Sequence, residues 1–206
     1  MKELMIGLTQ RITLVQPHGE KRDSLARDWY PFLTALGLPW VVLPNEAEAA
    51  VELASRLDLG GLILTGGDDI GAFPERDETE ACLLSRFQEK SRPVVGVCRG
   101  FQFIHHWLGG EINPVNPGIH RARRHEIIIE GHAERVVNSY HNLTPVFPGE
   151  ALPMMRPLAY CPADGSAEAA VVVGFLGLMW QPERETEPHQ GGRGLLHNCL
   201  PGGCDT

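Results

Sequence analysis

The chain has 206 residues, enough for one domain or a domain with a small appendage, and its 43% hydrophobic and 21% charged residues suit a buried core. A formal charge of −8, with no long stripe among the 18 lysines and arginines, argues against a nucleic-acid surface. No apolar run reaches the roughly 18 residues of a membrane span.

Five cysteines (Cys82, Cys98, Cys161, Cys199, Cys204) form neither a CxxC pair nor a Cys/His zinc spacing. MKELMIGLTQ runs directly into a strand-like segment without signal-peptide character. A reducing, cytoplasmic setting is expected, with mostly inert thiols, no cofactor and no metal.

In chain order, LMIGLTQRI (4–12) predicts a buried first strand and SLARDWYPFLTALGL (24–38) a helix ending at Gly37. PWVVLP (39–44) is a short strand framed by prolines, EAEAAVELASRLDL (46–59) an amphipathic helix, and GGLILTGG (60–67) a buried strand entering a glycine turn. ERDETEACLLSRFQEKS (75–91) reads as a helix whose acidic first turn suits the helix dipole. RPVVGVCRGFQFIHHWLGG (92–110) is a strand, an abrupt glycine-flanked turn and another helix. This alternation predicts an open, mostly parallel α/β sheet with helices on both faces. Beyond residue 110, EIIIE (126–130), ERVVNSY (134–140) and AAVVVGFLGLMW (169–180) predict an extended sheet region and a strand returning to the main sheet. Residues 1–187 are expected to form one domain, and the glycine-rich stretch 188–206, with His189 and His197, an irregular tail.

The most informative segment is Gly96-Val97-Cys98-Arg99-Gly100. A nucleophile between a buried strand and a helix, with small residues two positions either side, is a nucleophile elbow. The sharp turn projects the side chain from the sheet edge, and the helix start behind it favours thiolate. A buried, inert cysteine in a tight turn is the competing reading. Thr65-Gly66-Gly67, ending the previous strand, can turn backbone N–H groups into the same crevice as an oxyanion site. Gln102 stands one helical turn beyond Cys98, placed to hydrogen-bond an amide substrate. His105 and His106, on the same helix, are expected to be structural or solvated. RARRH (121–125) is the one dense basic spot, and Arg121, Arg123, Arg124 and His125 suit a phosphorylated ligand or a solvated loop.

GVCRGFQ with TGGDD upstream, NSYHN (138–142), DGSAEA (164–169) and WQPE (180–183) together resemble the class I glutamine amidotransferase-like hydrolases, over about residues 5–187. Arg99, RDETE (76–80) and NSYHN look most like the γ-glutamyl-γ-aminobutyrate hydrolase branch, peptidase family C26. The resemblance implies a flavodoxin-like α/β fold and Cys98 as a nucleophile that forms a γ-glutamyl thioester, later hydrolysed to release glutamate. It places the oxyanion hole at the backbone N–H groups of Gly67 and Arg99. It assigns Gly66, Gln102, Asn138, Ser139, Tyr140 and His141 to the γ-glutamyl group, which makes a small molecule the partner and leaves a homodimer open.

In that family a histidine activates the thiol, oriented by a glutamate two residues later. Here Glu183 is present but Gln181 stands at the histidine position, and a carboxamide cannot shuttle a proton near neutral pH. Three readings stay open: a true loss leaving a slow hydrolase or a γ-glutamyl-binding protein, replacement by another histidine such as His141, or an alteration of the sequence that traps substrate. A glutaminase subunit of a synthase is a further alternative. GLMWQPERE (177–185) and the short chain resemble a smaller branch that removes γ-glutamyl from nucleotide-linked phosphoramidates in capsule or surface-polysaccharide modification.

Overall fold

The computed structural model describes residues 5–131, 134–147, 155–185 and 200. Its elements run β1 (Ile6–Leu8), β2 (Arg11–Val15), β3 (Glu20–Ser24), α1 (Trp29–Leu36), β4 (Trp40–Val42), α2 (Ala47–Arg56), β5 (Gly61–Leu64), α3 (Pro74–Glu89), β6 (Val94–Val97), α4 (Arg99–Trp107), β7 (Ile112–Pro114), α5 (Pro117–His120), β8 (Arg121–Ile129), β9 (Arg135–Tyr140), β10 (Leu143–Pro145), β11 (Arg156–Tyr160), β12 (Ala167–Val172) and β13 (Phe175–Leu178), then a 3-10 turn at Pro182–Arg184.

Nine strands form one sheet in the order β4-β1-β5-β6-β13-β12-β11-β8-β9. The first five are mutually parallel, and β12, β11, β8 and β9 extend the sheet in antiparallel pairing. Alternation along the buried strands divides the core. Ile63, Val95 and Val97 pack with Trp29, Phe32 and Leu33 of α1 on one face. Leu62, Leu64 and Val94 pack on the other face with Ala50 and Ala54 of α2, Leu83 and Phe87 of α3, and Phe101 of α4. The α/β sheet with helices on both faces is as the sequence predicts, and its carboxyl edge is where such folds bind ligands.

Two expected elements are subdivided. The strand expected over 4–12 breaks after Leu8, and Arg11–Val15 turns back on Glu20–Ser24 as a hairpin, so α1 begins at Trp29 rather than near 24. The returning strand is polar and exposed along nearly its whole length, which hides it from a search for apolar periodicity. The apolar run 169–180 is a hairpin, because Gly174 adopts φ +84° between β12 and β13. The expected tail lies outside the described residues except for Leu200, which is buried in the α1-side core. Among the described residues no helix is long and apolar enough to cross a membrane.

Candidate active site

Cys98 stands between β6 and α4 with φ 53° and ψ −110°, a conformation costly for a non-glycine residue. Its N–H donates to Leu178 O (2.7 Å), and its carbonyl accepts from Phe101 and Gln102 N–H (3.0 and 3.1 Å), so strand and helix hold the turn from both sides. Gly100 makes the turn sterically possible: a Cβ there would overlap the Leu64 carbonyl, and one on Gly96 would run into the Gly100 backbone.

The turn after β5 faces this elbow. A Cβ on Gly66 would lie 3.6 Å from Cys98 Cβ and 3.6 Å from Gln181 Nε2, and Gly67 has φ +150°. Behind the turn lies a buried ionic network that explains the RDETE segment. Arg76 NH2 donates to the carbonyls of Thr65 (2.7 Å) and Gly66 (3.3 Å), and its Nε to Glu80 Oε1 (3.0 Å). Glu80 also accepts from Thr9 Oγ1 (2.8 Å) and pairs with Arg99, which pairs in turn with Asp77. Burial raises the Glu80 pKa, but the Arg76 and Arg99 guanidiniums outweigh it and hold the carboxyl below its ordinary range. The Arg99 side chain is therefore structural, which leaves its backbone N–H for the site.

The segment after β13 completes the crevice. Asn138 of β9 grips residue 181 through the main chain, accepting from Gln181 N (2.9 Å) and donating to Gln181 O (2.7 Å). Glu185 accepts from Asn138 N (2.9 Å) and Asn138 Nδ2 (2.8 Å), and from Arg124 (2.9 Å). Cys98, Gly66, Gly67, Tyr140, Gln181 and Glu183 together line a cavity of about 260 Å³, with Arg11, Ser24, Trp29, Asp68 and Arg184 among the other walls.

Electrostatically the cavity withholds charge from its own nucleophile. Burial pushes the Cys98 thiol up to about 11, against the lowering effect of hydrogen bonds from the Gln181 side chain and the Arg99 backbone N–H. Burial also raises the Glu183 carboxyl to about 7, and its Oε2 has no hydrogen-bond partner among the described residues. A histidine between the two could take the thiol's proton and pair with the carboxylate; Gln181 can do neither.

The expected site residues divide into two groups. Cys98, Gly66, Gly67, Tyr140, Gln181 and Glu183 meet at the cavity, and Arg99 adjoins it through its N–H. Gln102 is buried on α4 with its carboxamide donating to Leu143 O (2.8 Å). Ser139 donates to the His120 carbonyl (2.8 Å), and His141 turns toward Glu168. Among the described residues lining the cavity there is no histidine, so His141 is not placed to act as the base. His105 is buried, its ring 4.8 Å from that of Phe147. The basic cluster disperses: Arg124 is tied to Glu185 and His125 turns inward toward Glu168. Arg11 and Arg184 are the cavity's cations instead. Neither was singled out in the sequence: Arg184 adjoins Glu183, and Arg11 reaches the site only through the unforeseen hairpin.

Comparison with known proteins agrees with this fold. A glutamine amidotransferase from Thermotoga maritima superposes with a TM-score of 0.68 at 12% identity, covering 89% of this chain and 77% of that one. One from Methylobacillus flagellatus gives 0.61 at 15% identity, covering 89% and 71%. In sequence, the chain is 30% identical over 192 residues to the γ-glutamyl-CDP-amidate hydrolase of Campylobacter jejuni, 88% of this chain and 91% of that protein. It is 26% identical over 199 residues to the protein NtpR of Enterococcus hirae, 78% of this chain and 81% of the other. The sequence model of peptidase C26 matches residues 5–144, a span that carries the elbow, the glycine turn facing it and the asparagine that fixes residue 181, and the chain belongs to that family.

Proposed function

We propose that this protein hydrolyses a γ-glutamyl amide bond at Cys98. The observation that carries the reading is the meeting, in one cavity, of a cysteine on a strained elbow, the Gly66–Gly67 turn and the Gln181–Glu183 segment. In the proposed sequence the Cys98 sulfur bonds to the γ-carbon of the substrate, and the thiol's proton is relayed through water to the leaving nitrogen. The oxygen's developing charge is received by the N–H groups of Gly67 and Arg99. The C–N bond breaks as the leaving nitrogen takes a proton, and water then cleaves the thioester to glutamate and free thiol. Gln181 donates to the sulfur without accepting its proton, so the reaction is slow.

The Campylobacter jejuni relative is named for a γ-glutamyl-CDP-amidate, and Arg11 and Arg184 at the cavity wall suit the phosphates of a nucleotide-linked γ-glutamyl phosphoramidate. A cytoplasmic step releasing such a phosphoramidate for capsule modification is the setting we propose. The test is glutamate release from a panel of γ-glutamyl amides, including the nucleotide phosphoramidate, by the protein, its Gln181→His variant and its Cys98→Ala variant. We expect Gln181→His to be about 10²–10⁴-fold faster than the unmodified chain, the usual contribution of a general acid–base group, and Cys98→Ala to be inactive. A fast unmodified chain would assign the base to another residue.

A second reading, a γ-glutamyl-binding protein without turnover, is favoured by the elevated Cys98 thiol beside a carboxamide. It predicts a ligand-dependent rise in Tm with no glutamate released.

A further inference from the structure

Away from the cavity, the loop and strand ends of the antiparallel half bury a second constellation that the proposed hydrolysis does not use. Glu168 of β12 is wholly buried and faces three imidazoles: His125 Nε2 lies 3.1 Å from its Oε1, His120 Nδ1 3.4 Å and His141 Nε2 3.6 Å. Neither Glu168 oxygen has a hydrogen bond of acceptable geometry, nor do His125 and His141 through Nε2. The ligand atoms of His120, His125 and Glu168 all lie within 4.8 Å of one another.

Two of the rings already have their protons committed elsewhere. His141 donates through Nδ1 to Leu143 O (3.1 Å), and His120 donates through Nε2 to Asp164 Oδ2 (2.8 Å). The neutral rings therefore turn lone pairs, not N–H groups, toward a buried carboxylate. Ser139 cannot intervene, since its hydroxyl proton goes to the His120 carbonyl. Lone pairs around a carboxylate repel unless a cation sits among them. The His120 and His141 separations from Glu168 exceed those of charge-assisted N–H···O bonds, about 2.7–2.9 Å, and match the edges, about 3.3–3.6 Å, of a tetrahedron with arms of about 2.0–2.2 Å. The Asp164 and Leu143 carbonyl contacts are the outer hydrogen bonds that fix ligating histidines in their tautomers.

We propose that His120, His125 and Glu168 form a binding site for a divalent metal ion of zinc type, with His141, 3.6 Å from Glu168 Oε1, the nearest further imidazole. Two imidazoles and a carboxylate are a donor set that suits zinc among the common divalent ions. His120 and Glu168 are buried and His125 nearly so, which makes the ion structural, tying α5, β8 and β12 together. No motif announces the site, because the three ligands spread from 120 to 168 without a metal spacing. The neighbouring set of His120, Cys161 and Asp164 is less suited, since Asp164 is already satisfied by His120 and the Ser166 N–H (3.0 Å).

The experiment uses the full chain. Elemental analysis of protein produced with zinc in the medium is expected to give about one zinc per chain. After chelator stripping, zinc chloride at a hundredfold excess over Kd is expected to raise Tm by about 5–10 °C. Cobalt chloride in its place should give visible bands of tetrahedral intensity without a sulfur-to-cobalt charge-transfer band. Glu168→Gln and the milder His125→Gln should lose the zinc, while Cys98→Ala keeps it. Failure of the stripped chain to take up zinc or cobalt overturns the proposal, as does retention of zinc by both variants. A sulfur charge-transfer band would overturn this ligand set and move the site to Cys161. If both variants fail to fold, the cobalt spectrum of the unsubstituted chain decides.

Discussion

Cys98 and Glu183 share a cavity in which, among the described residues, no imidazole connects them, and each is moved by burial toward its neutral form. For Cys98, with its thiol at about 11, thiolate increases about tenfold per pH unit over the whole range below that value. Alkylation of Cys98 by iodoacetamide, followed peptide by peptide, is expected to rise with that slope from pH 7 to 10. In Gln181→His it should be faster at pH 7 and flatter with pH; a flat profile in the unmodified chain would show a thiolate already formed. Glu183 carries a stability consequence. Its folded pKa of about 7 lies above the ordinary 4.5, so the folded state holds the proton more tightly. Stability is full below about pH 4.5 and falls as pH rises to about 7, by about 3 kcal/mol at most. Glu183→Gln removes this loss, and its Tm should exceed that of the unmodified chain at pH 8 but match it at pH 4.

At the scale of elements, the elbow depends on a helix and two strands meeting almost backbone to backbone. Gly100→Ala would drive a methyl group into the Leu64 carbonyl, and overpacking at a site with no room to relax costs about 1–3 kcal/mol or more. A lower denaturant midpoint, with loss of Cys98 labelling by a glutamine-like electrophile, is the expected result. Glu80→Gln should cost more, about 3–5 kcal/mol, because it strands the buried Arg76 and Arg99 guanidiniums; equilibrium unfolding checks this. Strands β4, β5 and β6 of the parallel half were legible because each is an apolar run that leads into a helix. The elbow was legible for a related reason: glycines at 96 and 100 are what a strand–helix close approach requires. The β2–β3 hairpin was not, since Glu20–Ser24 carries no apolar residue and is held by pairing with Arg11–Val15. Asn138 and His141 were expected at the substrate, yet their side chains face Gln181 and Glu168. Residues of one short motif diverge in direction along a strand end, and only tertiary packing decides which face each takes.

Across the whole molecule, the sheet order alone would separate β9 from β13 by three intervening strands, or about 19 Å in a flat sheet. Asn138 nevertheless hydrogen-bonds the main chain of residue 181, just beyond β13. The antiparallel half must therefore curl back over the mouth of the parallel half, and this one asparagine ties the two. Asn138→Ala leaves Gln181 N–H and C=O without those partners at a cost of about 1–3 kcal/mol. Amide hydrogen exchange should then quicken together in 135–140 and 181–185, with α2 and α3 unchanged; exchange that quickens everywhere alike would mean the tie is not local. The tie is indifferent to the side chain it presents, because Asn138 holds residue 181 only by its peptide groups. Glutamine and histidine codons differ by one base at the third position, so on the proposed reaction the slow chain and its faster Gln181→His variant stand a single nucleotide apart. Drift at that position can cross between them in either direction without first dismantling the scaffold.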